Sequence, residues 1–98
     1  MKTNEQLRML KCVSDKTRLE ILHLLKNGER CVRDIMDEIN QEQSLVSHHL
    51  QEMRKCGIVR TRREGKNIIY GLADKSVVKL LEDIDRLSKK FCRETISS

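Results

Sequence analysis

The sequence predicts one mainly α-helical domain of 98 residues, with a small β-hairpin between its fourth and fifth helices. Apolar residues recur at the i, i+3, i+4, i+7 spacing of amphipathic helices in five segments. Only the stretch 58–72 is instead rich in β-branched residues around a glycine turn. The chain has no proline and no low-complexity linker, and its only aromatic residues are Tyr70 and Phe91, so we expect one aliphatic core over residues 1–98.

The first three helices follow from this spacing and from capping residues. A short first helix carries Leu7 and Leu10 and ends near Asp15, which can cap the next helix. The second helix has five leucine or isoleucine residues and ends at Gly28, a helix-stop signal, so it belongs in the centre of the domain. A third helix is expected over 31–39, beginning at a cysteine.

A turn over residues 40–42 leads to a fourth helix, which begins at Gln43 and ends before Gly57. One face of this helix is suited to pack inward and carries Val46, His49, Leu50 and Met53. The opposite face is polar and carries Gln43, Ser44, Ser47 and His48. Glutamine can pair bidentately with adenine, and serine and histidine can bond to bases or phosphates. Helix, tight turn and polar helix predict a DNA-binding helix-turn-helix.

The hairpin and the last helix complete the fold. Two strands, 58–63 and 67–72, joined by a turn at 64–66, predict a basic wing, so the fold class is a winged helix-turn-helix. The last helix runs from Asp74 to about Cys92 with a nearly heptad apolar stripe. This stripe either covers its own core or pairs with a second copy, and we favour a dimer through the first and last helices.

Charge and composition restrict the partner and the compartment. Twenty Lys and Arg against fifteen Asp and Glu give a net charge of +5, which favours a polyanion over a merely solvated basic surface. No apolar run approaches the ~18 residues that span a bilayer, and the N-terminus has no signal-peptide core. We therefore expect a cytoplasmic protein without a membrane partner, whose four cysteines are reduced thiols outside any disulfide framework.

Four segments together resemble the ArsR/SmtB family of winged-helix repressors. Residues 13–22 (VSDKTRLEIL) are similar to its L-x-D-x-T-R-L-x-I-L, and 28–35 (GERCVRDI) to its G-E-L-C-V-C-D-L. Residues 43–50 (QSLVSHHL) are similar to Q-S-x-V-S-x-H-L, and 62–70 to the wing motif R-x-E-G-x-x-x-x-Y. The resemblance extends over most of the chain, with the motifs in the family's order.

This resemblance implies a homodimeric repressor that binds an imperfect inverted repeat in double-stranded operator DNA. The residues it assigns to bases and nearby phosphates are Gln43, Ser44, Ser47 and His48. The wing residues it assigns to the flanking backbone or minor groove are Arg62, Arg63 and Lys66. His49 lies on the apolar face, so we interpret it as a hydrogen-bonded structural residue, and we interpret His23 in the same way.

Family members typically release DNA when a metal or metalloid binds or when thiols are oxidised, but the best-known sites are incomplete here. Arg33 stands where the second cysteine of the third-helix dithiol would be. Of the zinc site on the last helix only Asp74 matches; the other positions hold Ser76, Leu87 and Lys90. The effector therefore stays open between a metal and an oxidant.

Cys31 is the most interesting thiol on physical grounds, because Arg30, Arg33 and the helix N-terminus favour its thiolate form. A sensing role and a buried structural role both remain open for it. The resemblance implies Cys12 of the other subunit as its partner, with Cys92 as second choice, and we interpret Cys56 as packing. Three converging thiols would suit As(III), Sb(III), Cd(II) or Cu(I), whereas two would suit a disulfide, and no cofactor is required.

Two other function classes fit the sequence less well than a DNA-binding repressor. A winged-helix module that binds a protein, or a DNA-binding regulator with no effector site, is the alternative, and the intact basic wing argues against the former. An enzyme is not expected, because His48 and His49 are adjacent and point about 100° apart on a helix, and the sequence has no glycine-rich phosphate loop.

Overall fold

The computed structural model describes residues 2–92 and confirms a mainly α-helical fold with a small wing. The helices are α1 (Lys2–Val13), α2 (Lys16–Lys26), α3 (Val32–Ile39), α4 (Gln43–Lys55) and α5 (Lys75–Phe91). The strands are β1 (Arg30–Cys31), β2 (Val59–Glu64) and β3 (Asn67–Leu72). Helices α3 and α4 are the helix-turn-helix pair, and β2 and β3 form the wing.

Local capping sets where three of the helices begin or end. Asp15 caps α2, because its carboxylate accepts a hydrogen bond from the backbone N–H of Arg18 at 3.0 Å. Asn40 ends α3 in the left-handed conformation, with φ of 56°, and its N–H donates to the carbonyl of Met36. Asp74 caps α5. The sharp reversal at Asn40 allows a turn of only three residues between α3 and α4.

The sheet has three antiparallel strands in the order β1-β3-β2, one more than the hairpin expected from sequence. Arg30 pairs with Tyr70 and Cys31 with Ile69. The expectation that a helix begins at Cys31 is therefore wrong by one residue. Cys31 ends β1 and is the N-cap residue of α3, which begins at Val32. This short strand hydrogen-bonds the free edge of β3 and joins the wing to the helix-turn-helix.

The core lies where α2 meets α4, α5 and the base of the wing. The side chains with 0% exposure are Ile21, Leu22, Ile35, Val46, Leu50, Met53 and Leu81. They come from α2, α3, α4 and α5, so the central position predicted for α2 is confirmed. The inward face predicted for α4 is confirmed as well, because all four of its members are buried.

Helices α1 and α5 leave large apolar side chains exposed. On α1 these are Leu7, Met9 and Leu10, and Leu10 is 56% exposed. On α5 they are Leu87 and Phe91, and Phe91 is 65% exposed. An apolar surface of this kind on a small domain marks an interaction site. No helix within residues 2–92 is long and apolar enough to cross a membrane.

Replacing a fully buried residue of α4 tests this core. Leu50→Ala removes three carbons from a site with 0% exposure, and we expect it to lower the free energy of unfolding by about 2–5 kcal/mol. Urea unfolding at fixed protein concentration measures the change. Gln51→Ala, at the next and exposed position of the same helix, is the control and should stay within about 0.5 kcal/mol of the unmodified protein. Equal losses in both variants would contradict the assigned packing.

Candidate nucleic-acid interface

Helix α4 exposes to solvent most of the residues that were predicted to contact DNA bases and nearby phosphates. Gln43, Ser44 and His48 are exposed, and Ser47 is half-buried. The structure therefore brings these four side chains to one outward surface at the first half of the helix. Because the opposite face is held in the core, α4 has no freedom to rotate this surface away.

The first turn of α4 has a feature that sequence reasoning missed. Glu42 is the N-cap residue, and its carboxylate accepts a hydrogen bond from the hydroxyl of Ser44 at 2.8 Å. A carboxylate at this position repels phosphates, and Ser44 must exchange this partner before it can contact DNA. Gln43 and His48 are thus the residues of this surface that are most available for base contacts.

His49 is anchored in the protein interior, as predicted for a structural histidine. It is 8% exposed, and its Nδ1 accepts a hydrogen bond from Nε of Arg18 at 2.9 Å. Nη1 of Arg18 also donates to the carbonyl of Cys12 at 3.1 Å. On the other side of the ring, Nε2 lies 3.7 Å from the carboxylate of Asp15. This network ties α4 to the end of α1 and the start of α2.

The environment of His49 disfavours its protonated form. Burial is the main cause that lowers the pKa of His49, and the charges of Arg18 and His48 lower it further, while Asp15 opposes the shift. A neutral ring can accept from Arg18 at Nδ1 and present its N–H toward Asp15. Within residues 2–92 no group of three His, Cys, Asp or Glu residues could hold a metal ion. His48 faces solvent and His49 the core.

One other sequence interpretation changes, and Asp74 has a capping role. His23 is exposed on α2, so the interpretation that it is a structural histidine like His49 is wrong. Asp74 matched a zinc ligand of the family, but here its carboxylate caps α5 by accepting from the N–H of Ser76 at 2.8 Å and from the Ser76 hydroxyl. The hydroxyl bond is the main cause that holds the pKa of Asp74 below its ordinary value.

The wing carries an ion-pair cluster centred on Glu29, which sequence reasoning also missed. One carboxylate oxygen of Glu29 accepts from Arg60 at 2.7 Å, and the other accepts from Nε of Arg62 at 3.0 Å. Arg62 also pairs with Glu64 at 3.1 Å. Gly71 makes room for this cluster, because a Cβ there would lie 3.1 Å from Cγ of Glu29. The cluster holds the wing against the loop that precedes β1.

The three basic wing residues predicted to contact DNA therefore differ in their availability. Arg62 is held by two carboxylates, whereas Arg63 and Lys66 are exposed and make no ion pair within residues 2–92. Residues alternate between the two faces of a strand, so Arg60 and Arg62 share the face of Glu29 and Arg63 points to the other. Within residues 2–92, Arg63 and Lys66 are thus the wing cations whose charge no carboxylate neutralises.

The cysteines pair differently from the expectation. Cys12 and Cys56 form a disulfide with Cα atoms 6.6 Å apart, while Cys31 is half-buried and Cys92 exposed as free thiols. The interpretation of Cys56 as packing, and the expectation that all four cysteines lie outside a disulfide framework, are therefore wrong. The pair is separated by 44 residues, and only the packing of the end of α1 on the end of α4 brings it together.

A winged helix-turn-helix with an outward polar helix and a basic wing defines a DNA-binding regulator. Comparison with known proteins names its family. The family model of bacterial regulatory proteins of the arsR family matches residues 15–61. The HTH-type transcriptional regulator MJ1325 of Methanocaldococcus jannaschii is 41% identical over 80 residues, which are 81% of this chain and 90% of that protein. The chain belongs to the ArsR family and is a transcriptional regulator rather than an enzyme.

Two further relatives extend this assignment. The cadmium resistance transcriptional regulatory protein CadC homolog of Staphylococcus aureus is 38% identical over 76% of this chain, which spans only 63% of that protein. The homodimeric winged helix-turn-helix DNA-binding domain of Mb0332 from Mycobacterium bovis superimposes with a TM-score of 0.85 at 29% identity, covering 91% of this chain and 82% of that one. The predicted fold class and family are thus confirmed.

Removing the charge of Glu29 tests the wing cluster. Hydrogen bonds from Arg62 and then Arg60 hold the pKa of Glu29 below its ordinary value of 4.5, so its stabilising effect is present above that pH and is lost as pH falls through the lowered pKa. We expect Glu29→Gln to lower the urea midpoint at neutral pH and to match the unmodified protein in acid, where Glu29 is protonated. Glu38→Gln, an exposed site on α3 with the same charge change, is the control. A Glu29→Gln deficit that persists unchanged in acid would refute the ion-pair cause.

Proposed function

We propose that this regulator is a homodimeric, sequence-specific repressor that binds an imperfect inverted repeat in operator DNA and leaves it on a thiol-directed signal. The orientation of α4 is the observation that supports DNA binding. Its buried face holds Gln43, Ser44, Ser47 and His48 outward on one surface, which suits base edges in a major groove. The helix is short enough and its outward side chains small enough to enter that groove.

The wing supplies the sequence-independent part of the affinity. Arg63 and Lys66 would meet phosphates or the flanking minor groove, and Arg62 would join them after leaving Glu29 or Glu64. Each neutralised phosphate releases counterions, so affinity should fall steeply with salt. The carboxylate of Glu29 lowers the charge available at Arg62, which favours specific over non-specific binding.

The exposed apolar side chains of α1 and α5 support dimerisation through these two helices. Leu10 and Phe91 are the most exposed of this set, and the Mycobacterium bovis domain of the same fold is homodimeric. A two-fold dimer places two copies of α4 on one side, which matches two half-sites of an inverted repeat. The DNA-binding domain is then the whole chain of residues 1–98.

The signal that we propose acts on thiols. Cys31, Cys12 and Cys92 were the candidates from sequence, and a thiophilic ion such as As(III), Sb(III), Cd(II) or Cu(I), or else an oxidant, would be the effector. The CadC homolog is a cadmium resistance regulator by name, which supports a metal. Against this, the structure brings together two cysteines, Cys12 and Cys56, and not three, which favours oxidation.

Gln43→Ala tests the reading surface, the outward face of α4 that carries Gln43, Ser44, Ser47 and His48. We expect a loss of about 1–3 kcal/mol in operator binding and weaker discrimination at one base pair, because a bidentate base contact is removed. Lys66→Ala should instead weaken specific and non-specific DNA equally and reduce the salt slope by about 1. Fluorescence anisotropy with fragments of the protein's own promoter measures both. If Gln43→Ala leaves operator affinity and base discrimination unchanged, Gln43 makes no base contact and the assigned reading surface is wrong.

Leu10→Glu tests the dimer surface. A charge placed in an apolar interface should shift the protein to monomer, seen by sedimentation, and should lower operator affinity because one recognition helix binds alone. His23→Glu, an exposed site on α2, is the control and should remain dimeric. A monomeric unmodified protein, or a dimeric Leu10→Glu protein with full affinity, would contradict dimerisation through α1.

A further inference from the structure

We propose that Cys56 and Cys12 form an oxidation site for small peroxides, in which Cys56 reacts first, Cys12 completes a disulfide, and the bond lowers operator affinity. This inference rests on the proposed function, because it assumes that α4 reads DNA. It departs from the sequence interpretation, in which Cys31 was the preferred sensor and Cys56 a packing residue. The proposal is based on the placement of both sulfur atoms between α1 and the end of α4.

The two thiols differ in access, which assigns their roles. Cys12 is 2% exposed, whereas Cys56 is half-buried and lines an open cavity of about 300 Å³. Met9 of α1, Val77 and Leu80 of α5, and Asp74 also line this cavity. A peroxide can therefore reach Cys56 from solvent, while among the cysteines within residues 2–92 Cys12 is bonded to Cys56. The apolar lining favours a small neutral oxidant over a charged one.

The chemistry balances without any other cofactor. The Cys56 thiolate attacks one oxygen of hydrogen peroxide, so an S–O bond forms, the O–O bond breaks, and hydroxide leaves to become water. The Cys12 sulfur then attacks the sulfenic sulfur of Cys56, which forms the S–S bond and expels the second hydroxide. That hydroxide takes the proton of the Cys12 thiol and leaves as water. Two thiols and one peroxide yield one disulfide and two waters.

The bond connects the two helices whose relative position sets DNA binding. Cys12 is in the last turn of α1, beside the exposed apolar side chains proposed to hold the dimer, and Cys56 is the C-cap residue of α4. Cys12 Sγ lies 4.0 Å from the carbonyl oxygen of Glu52, in the last turn of α4. Without the S–S bond this junction is held by packing, which tolerates small shifts. The disulfide removes that tolerance and fixes each reading surface relative to the dimer axis.

A fixed reading surface binds operator DNA less well. Two recognition helices must enter successive major grooves about 34 Å apart, so each must be able to adjust as the dimer docks. The Arg18 contact with the Cys12 carbonyl and with His49 crosses the same junction, so the constraint reaches the middle of α4 as well as its end. We expect the oxidised dimer to bind its operator at least about tenfold more weakly, a difference of about 1.4 kcal/mol.

The test compares reduced and peroxide-treated full-length protein on its own-promoter fragment by anisotropy. Peroxide should raise the Kd at least tenfold, and dithiothreitol should restore it. A non-reducing tryptic digest should contain residues 12–16 joined to residues 56–60. Cys56→Ser and Cys12→Ala should bind like the reduced protein and lose the response, while the matched variant Cys31→Ser, at a half-buried thiol outside the pair, should keep it.

Three results would overturn the proposal: unchanged or tighter binding after peroxide, a response that survives Cys56→Ser, or release by arsenite but not by peroxide. Failure of the reduced protein to bind any promoter fragment in a specific, salt-sensitive way would instead refute the proposed function. In that case the peptide digest alone still decides whether Cys12 and Cys56 are the pair that peroxide joins.

Discussion

Burial of one face of α4 is the constraint on which the rest of this structure depends. Val46, Leu50 and Met53 have no exposed surface, and the helix cannot turn about its axis without exposing them. The outward direction of the polar side chains is therefore a consequence of core packing and not of any interaction that they make themselves. Stability and the proposed DNA recognition therefore depend on opposite sides of the same helix.

Two polar networks fix the orientation of α4 and the position of the wing, which apolar packing alone does not define. Arg18 joins the α1 carbonyl of Cys12 to the ring of His49, so the orientation of α4 along its length is specified by directional bonds. Glu29 does the same for the wing by holding Arg60 and Arg62. The first network is partly buried, and burial lowers the pKa of its histidine, whereas the second lies near the surface and is screened by salt. We therefore expect the wing to adjust more readily than α4 when DNA docks.

The sequence predicted those parts of the fold that depend on local pattern. The periodic apolar residues located all five helices, and Asn67 and Leu72 were correctly placed as the ends of the second wing strand. His49 was correctly interpreted because its helical position alone directs it to the core. Family motifs added the arrangement of helix, turn, helix and wing, and the family itself is confirmed by comparison with known proteins.

What could not be predicted depends on residues far apart in the chain. Cys12 and Cys56 are 44 positions apart, and Glu29 lies 31 and 33 positions from the arginines that it binds. No spacing rule connects such pairs, because they meet only after the helices and strands have packed. The two-residue strand β1 was missed for a related reason: it is too short to show alternation and exists only because β3 offers an open edge. His23 was misjudged because α2 was expected in the centre of the domain, and this central helix still exposes one face to solvent.

We propose that α4 reads operator DNA with the face that the core leaves outside. The most direct measurement is a crystal structure of the reduced protein bound to its operator duplex. We expect α4 of each subunit in one of two successive major grooves, with Gln43 in hydrogen-bond distance of a base edge and Lys66 beside a flanking phosphate. A complex in which α4 points away from the duplex, or touches only its backbone while another surface contacts the bases, would contradict the account.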